Sequence, residues 1–167
     1  MTGLGRVPVI IYLALPDDDT NPEPYLLPCR EFAARYGYGV RAELTGRLTG
    51  SGRRPFRKVA REAMEAGRAR GLITYTRPML ATRTETWAEL AKWAGRRPAF
   101  IEAAWQPVTA LGSLVYDTAH GRTGRLVAFY PDGLAWLRPD PAGGQEWTTD
   151  PDCLMPPLTA HAPGGRR

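Results

Sequence analysis

Residues 7–15 read VPVIIYLAL and run directly into Pro16 and three carboxylates, Asp17, Asp18 and Asp19. A continuous apolar run, instead of an alternation of apolar and polar positions, is the pattern of a strand covered on both faces, and so of a central strand. The run is too short to cross a bilayer. It is rich in Val and Ile and ends in Pro-Asp-Asp-Asp, without the small-residue cleavage site of a secretory leader.

Working outward, residues 25–36 read as a helix stopped by Gly37, with Pro28 marking a kink or a late start. Residues 39–44 read as a second strand, and 45–54 (TGRLTGSGRR) as a Gly-rich basic loop. Pro55 suits a first helical position, and Phe56, Val59, Ala60, Ala63 and Gly67 fall on one side of the helix it opens. Residues 71–75 (GLITY) form a third strand. Thr82 with Glu85 has the spacing of a capping box opening a helix whose Trp87, Leu90, Ala91 and Ala94 face inward, and residues 99–101 give a fourth strand. Strand and helix alternating in this way predict a parallel α/β sheet with right-handed crossovers over residues 1–106.

From Val108 the texture changes to short strands, at 114–116, 125–130, 134–137 and 146–148, separated by glycine-bearing turns. Residues 107–156 therefore read as a separate small β module, and 157–167 as a disordered tail. Alternation makes Trp136 and Trp147 candidates for the core of that module. His120 and His161 lack partners at metal-ligand spacing and read as loop residues.

The chain has 167 residues, enough for a real core without staples. Lys and Arg number 22 against 17 Asp and Glu, a net charge of +5 that permits an anionic partner without demanding one. Two distant cysteines, Cys29 and Cys153, suggest neither a disulfide framework nor a zinc site and fit a reducing cytoplasm. No cofactor and no membrane contact is expected. The Ala, Arg, Gly and Pro bias fits a bacterial, GC-rich coding sequence.

The order of elements, the spacing from the first strand to VRAEL (40–44) and the stretch RRPFRKVAREAMEAGRARGLITYTR (53–77) resemble the catalytic domain of the serine recombinases, the resolvase/invertase family. The resemblance implies a resolvase-like α/β domain whose chemistry would need a serine just past the first strand, with arginines to neutralise charge on the attacked phosphorus. The family's Tyr-x-Arg-x-Ser pattern falls on Tyr12, Leu13, Ala14, Leu15 and Pro16, so arginine is replaced by Ala14 and serine by Pro16. The only serines of the chain are Ser51 and Ser113. Fragments alone of the family's Asp-Arg-Leu-x-Arg signature remain near residues 77–83 (RPMLATR), and the β module stands where the long assembly helix and helix-turn-helix belong. The resemblance therefore implies a recombinase-like pseudoenzyme, no longer catalytic. Separately, GSLVYDTAHGRTGRLVAFYPDGLAWLRP (112–139) resembles a small SH3-like barrel with a KOW-type glycine pattern.

Three functions follow as expectations. The first is nucleic-acid binding, most naturally to DNA, as an accessory of a mobile element or a DNA-maintenance system. Arg47, Arg53, Arg54, Arg57, Lys58, Arg61, Arg68 and Arg70 gather in one loop and helix and can follow a phosphate backbone; Arg122, Arg125, Arg138 and Trp136 can add stacking on the β module. A second is a metal-dependent enzyme with Asp17 and Asp19 as ligands, set against the plainer reading that the aspartates cap and charge the next helix. A third is a scaffold docking a protein partner through the barrel.

Overall fold

The structure, a computed structural model, describes residues 5–15, 20–48, 55–82, 84–105 and 110–157, without the side chains of Pro55 and Phe56. Asp17, Asp18, Asp19, Ser51, Arg53, Arg54, Arg83, His161 and the expected tail from 158 onward lie outside the described residues. The chain divides into two compact units, Met1–Gln106 and Pro107–Arg167.

In the first unit β1 (Val7–Leu15), β2 (Tyr38–Arg47), β3 (Gly71–Thr74) and β4 (Phe100–Ala103) form a wholly parallel sheet of order β2-β1-β3-β4. β1 is central, and every residue of Val9 to Leu15 is buried, as its unbroken apolar run requires. The order reverses direction between β1 and β3, so the carboxyl ends of these two strands flank the crevice where open α/β sheets hold ligands. α1 (Glu23–Arg35) carries Leu26, Cys29 and Ala33 into the core. It begins ahead of Pro28 and runs through it, so the late start is not adopted: Pro24 already supplies a proline in the first turn. β2 extends to Arg47, beyond the expected end at Leu44, because its pairing with β1 continues to Leu15.

α2 (Pro55–Glu65) buries Ala60, Ala63 and Met64. Val59 is 46% exposed, a departure from the expected inner stripe. The helix is turned so that Arg57 and Arg61 reach a carboxylate on the segment after β3, which leaves Val59 on the outer side. A single turn, α3 (Arg77–Leu80), follows β3, and α4 (Trp87–Gly95) precedes β4. The capping box of α4 is Thr86 with Glu89: Thr86 Oγ1 accepts from the Glu89 amide at 3.3 Å, and the Glu89 carboxylate accepts from the Thr86 amide at 2.7 Å. Thr82 and Glu85 have the same spacing, and there Thr82 Oγ1 accepts from the Glu85 amide, closing a turn. The Glu85 carboxylate is drawn instead to Arg57 and Arg61. Leu90 and Ala94 face inward as expected, whereas Ala91 is exposed and Trp87 only half-buried.

The second unit is an antiparallel sheet of order β8-β7-β6-β5-β9, built from β5 (Leu114–Asp117), β6 (Arg122–Phe129), β7 (Ala135–Pro139), β8 (Trp147–Thr149) and β9 (Leu154–Met155). A 3-10 turn, Pro151–Cys153, leads into β9. Val115, Leu126, Ala135, Leu137, Trp147 and Leu154 form its core. Trp147 fills that core as expected. Trp136 does not: it lies between the inward Ala135 and Leu137, half-buried on the opposite face of the strand.

Candidate functional site

Towards the carboxyl ends of β1 and β3 the described strand residues are apolar or neutral. Tyr12 and Ala14 have no exposure, and neither have Thr74 and Thr76. The Thr74 and Thr76 hydroxyls are buried without a hydrogen-bond partner among the described residues. The Arg77 guanidinium lies over the Trp87 ring at 5.3 Å. The one cationic position of the motif within the described part of β1 is thus a buried alanine. Asp17 and Asp19 lie outside the described residues. Among the described residues no group of three or more His, Cys, Asp or Glu could hold a metal ion.

The basic residues fall into distinct environments. Arg57 and Arg61 share the carboxylate of Glu85: Arg57 Nη2 donates to Oε2 at 2.5 Å and Arg61 Nη1 to Oε1 at 3.0 Å. Arg57 Nε also donates to the Leu80 carbonyl at 3.1 Å, and the Arg61 guanidinium packs 4.5 Å from the Trp93 ring centroid. These two arginines tie α2 to the segment after α3 and to α4. Lys58 is exposed, with only a loose 3.7 Å contact to Glu62 one turn on, and Arg68 is exposed beyond the helix end. Arg47 ends β2 at the surface, and Arg70 Nε donates to the Pro98 carbonyl.

On the second unit, Arg125 and Arg138 stand directly opposite each other across β6 and β7. Each is held by one carboxylate, Arg125 by Asp140 at 2.5 Å and Arg138 by Glu146 at 2.8 Å. Like charges facing across a strand pair repel, and these exposed ion pairs offset that repulsion. Two residues along β7 on the same face, Trp136 stacks on Tyr130 at 6.0 Å and 21°. Tyr130 and the neighbouring Phe129 are exposed. Arg122 is elsewhere, its guanidinium 3.7 Å from the centroid of the Trp147 ring.

One constellation escaped the reading of the sequence. His120 has a partner after all: its Nδ1 lies 2.7 Å from Asp117 Oδ2, an oxygen that also accepts from Trp147 Nε1 at 2.8 Å. Asp117 Oδ1 accepts from the Ala119 amide, so this fully buried carboxylate has three donors. The legible signal was Asp-x-x-His running straight into Gly121-Arg122, the spacing of a short hairpin loop that folds its own side chains together. Trp147 could not be joined to it from the sequence.

The two thiols are unsuited to nucleophilic work. Burial, with a smaller contribution from Glu43, pushes Cys29 up to about 12. Burial, followed by Asp150 and Asp117, pushes Cys153 up to about 11.

No family model matches the chain, and no curated protein does. Among solved structures the chain is similar to the crystal structure of the C-terminal catalytic domain of ISC1926 TnpA, an IS607-like serine recombinase. The TM-score is 0.50 at 14% identity, over 59% of this chain and 71% of that one. At such identity the likeness is one of fold. A parallel four-stranded sheet is consistent with a recombinase-like domain, which is what the resemblance noted in the sequence implied. Among the described residues no helix is long and apolar enough to cross a membrane.

Proposed function

We propose that this chain has a recombinase-related role as a nucleic-acid-binding accessory, of a mobile element or a DNA-maintenance system, without strand-transfer chemistry of its own. The observation that carries the reading is Ala14, fully buried in the first strand of a recombinase-like sheet where the family places arginine, together with the Pro16 that the sequence sets where the family places serine. In this reading neither position supplies the serine hydroxyl or the arginine that the family's reaction uses for its covalent step and its charge stabilisation. Binding needs neither.

Within this reading, the phosphate contacts fall to Lys58 and Arg68, which are exposed, together with Arg47, Arg53 and Arg54 of the basic stretch that precedes the helix. The second unit, read as an SH3-like barrel, adds Trp136 with Tyr130 as a stacking surface and Arg125 with Arg138 beside it. Support for the barrel comes from the strand order, in which the last short strand returns to pair with the first strand of the unit after a 3-10 turn.

The test is a salt titration of duplex DNA binding by the full chain. Affinity should fall steeply with salt, and charge reversal at Arg53, Arg54 and Lys58 should weaken it further. Affinity indifferent to salt and to those changes refutes the binding reading. A covalent protein–DNA adduct trapped during incubation with DNA refutes the claim of lost chemistry.

A further inference from the structure

Arg122 is the residue of the second unit whose surroundings leave most unexplained. It is the Cα partner of Asp117 across the β5–β6 hairpin, yet it makes no hydrogen bond to that carboxylate. Its Nε is buried without a hydrogen-bond partner among the described residues, and its guanidinium carbon lies 3.7 Å from the centroid of the Trp147 ring. Arg125 and Arg138, by contrast, each hold a carboxylate. A planar guanidinium with unused donors is matched to a planar or tetrahedral oxyanion.

His120 borders the same indole, with ring centroids 6.4 Å apart. Asp117 holds its Nδ1, which fixes the ring and leaves Nε2 free of any described partner on a side chain 43% exposed. With both ring nitrogens protonated, Nε2 donates outward while Nδ1 stays on Asp117. Trp147, pinned by its own indole N–H to the same oxygen, is the ring that both groups neighbour.

We propose that the hairpin end formed by His120, Arg122 and Trp147 is a binding site for a phosphate group, with Asp117 as the positioning residue behind it. The ligand chemistry is a phosphate oxyanion, carried by free phosphate, by the end of a nucleic-acid strand or by its backbone. The site is built wholly from residues of the second unit, so it does not depend on the duplex-binding proposal.

The chain has only two histidines, His120 and His161, so the imidazole signals of the full protein are readily assigned by NMR with the His120→Gln variant. The titration is made where the His120 carbon shift shows the ring protonated. The ligands are inorganic phosphate and a short single strand with and without a 5′-phosphate. A saturable shift of the His120 signals with any of these, weakened at least about tenfold by Arg122→Gln, is the expected result. Which ligand produces it tells the source of the phosphate. The Trp147 indole N–H signal reports that the hairpin is intact in the variant. Should Arg122→Gln disturb it, Arg122→Lys keeps the charge without the fork and is expected to weaken the shift by a smaller factor. No shift with any of the ligands, or a shift unchanged in the arginine variant that keeps its indole signal, overturns the proposal.

Discussion

Asp117 is a carboxylate with no exposure at the end of β5, tolerated there because each donor it meets is itself fixed by the fold. Asp117→Ala would strand the indole N–H and the Ala119 amide, so it should cost the second unit about 2–4 kcal/mol, read from urea unfolding followed through the Trp147 indole signal. Gly124 controls the same tryptophan from the other side. A Cβ there would come within 2.5 Å of the Trp147 ring and 2.7 Å of the Arg138 carbonyl. Neither neighbour can retreat without breaking the Asp117 contact or the β6–β7 ladder. Gly124→Ala should therefore lower the thermal midpoint of this unit and shift the indole resonance, whereas substitution at the exposed Phe129 should do neither. Cys29 gives a pH signature in the first unit. Burial raises its folded value from 9.0 to about 12, so the unfolded thiol ionises first and stability declines as pH rises from about 9 toward 12. In Cys29→Ala that part of the alkaline decline should disappear from denaturation curves recorded across the range.

At the scale of elements, the Arg57–Glu85–Arg61 cluster is a clamp between α2 and the turn that precedes α4. Its three side chains are between 17% and 30% exposed, so the pairs are better shielded than surface ion pairs. Glu85→Ala should destabilise the first unit by about 1–3 kcal/mol, while Lys58→Glu leaves stability within about 0.5 kcal/mol, both measured by chemical denaturation. This difference also decides which variants test nucleic-acid binding cleanly: reversal at Arg57 or Arg61 would confound affinity with folding. Between α1 and β2, Arg30 donates to Glu23 and, more closely, to Glu43. The hydrogen bond from Arg30 holds the Glu43 carboxyl below its usual value of 4.5. The contribution is present above that value and lost as pH falls through the lowered one, and Glu43→Gln should flatten that acid-side loss. Because the pair is largely exposed, the effect should shrink in high salt.

Taken whole, the molecule combines a net charge of +5 with two compact units, and duplex binding should show a log–log salt slope of about −2 to −5 that each reversal at Arg53, Arg54 or Lys58 makes shallower by about one. Much of the architecture was legible beforehand. The parallel order followed from an unbroken apolar β1 and from strands alternating with helices, since both are local consequences of which faces must be buried. That Ala14 and Pro16 stand where the resemblance would set arginine and serine needed only the residues themselves. Other features depended on competition between distant groups. Two Thr-x-x-Glu boxes lie in succession, and which one caps α4 was settled by Arg57 and Arg61 drawing Glu85 away. The basic stripe was read as one surface, but packing divided it into clamped and exposed members. Alternation alone did not tell which tryptophan of the β module faces inward, because that depends on the strand's register and on which face the sheet covers. Period, charge and motif identity are properties of neighbours along the chain and were determined by the sequence alone. The pairing of His120 with Asp117 over Trp147 joins residues 117 and 147, which only the tertiary fold brings within hydrogen-bond distance.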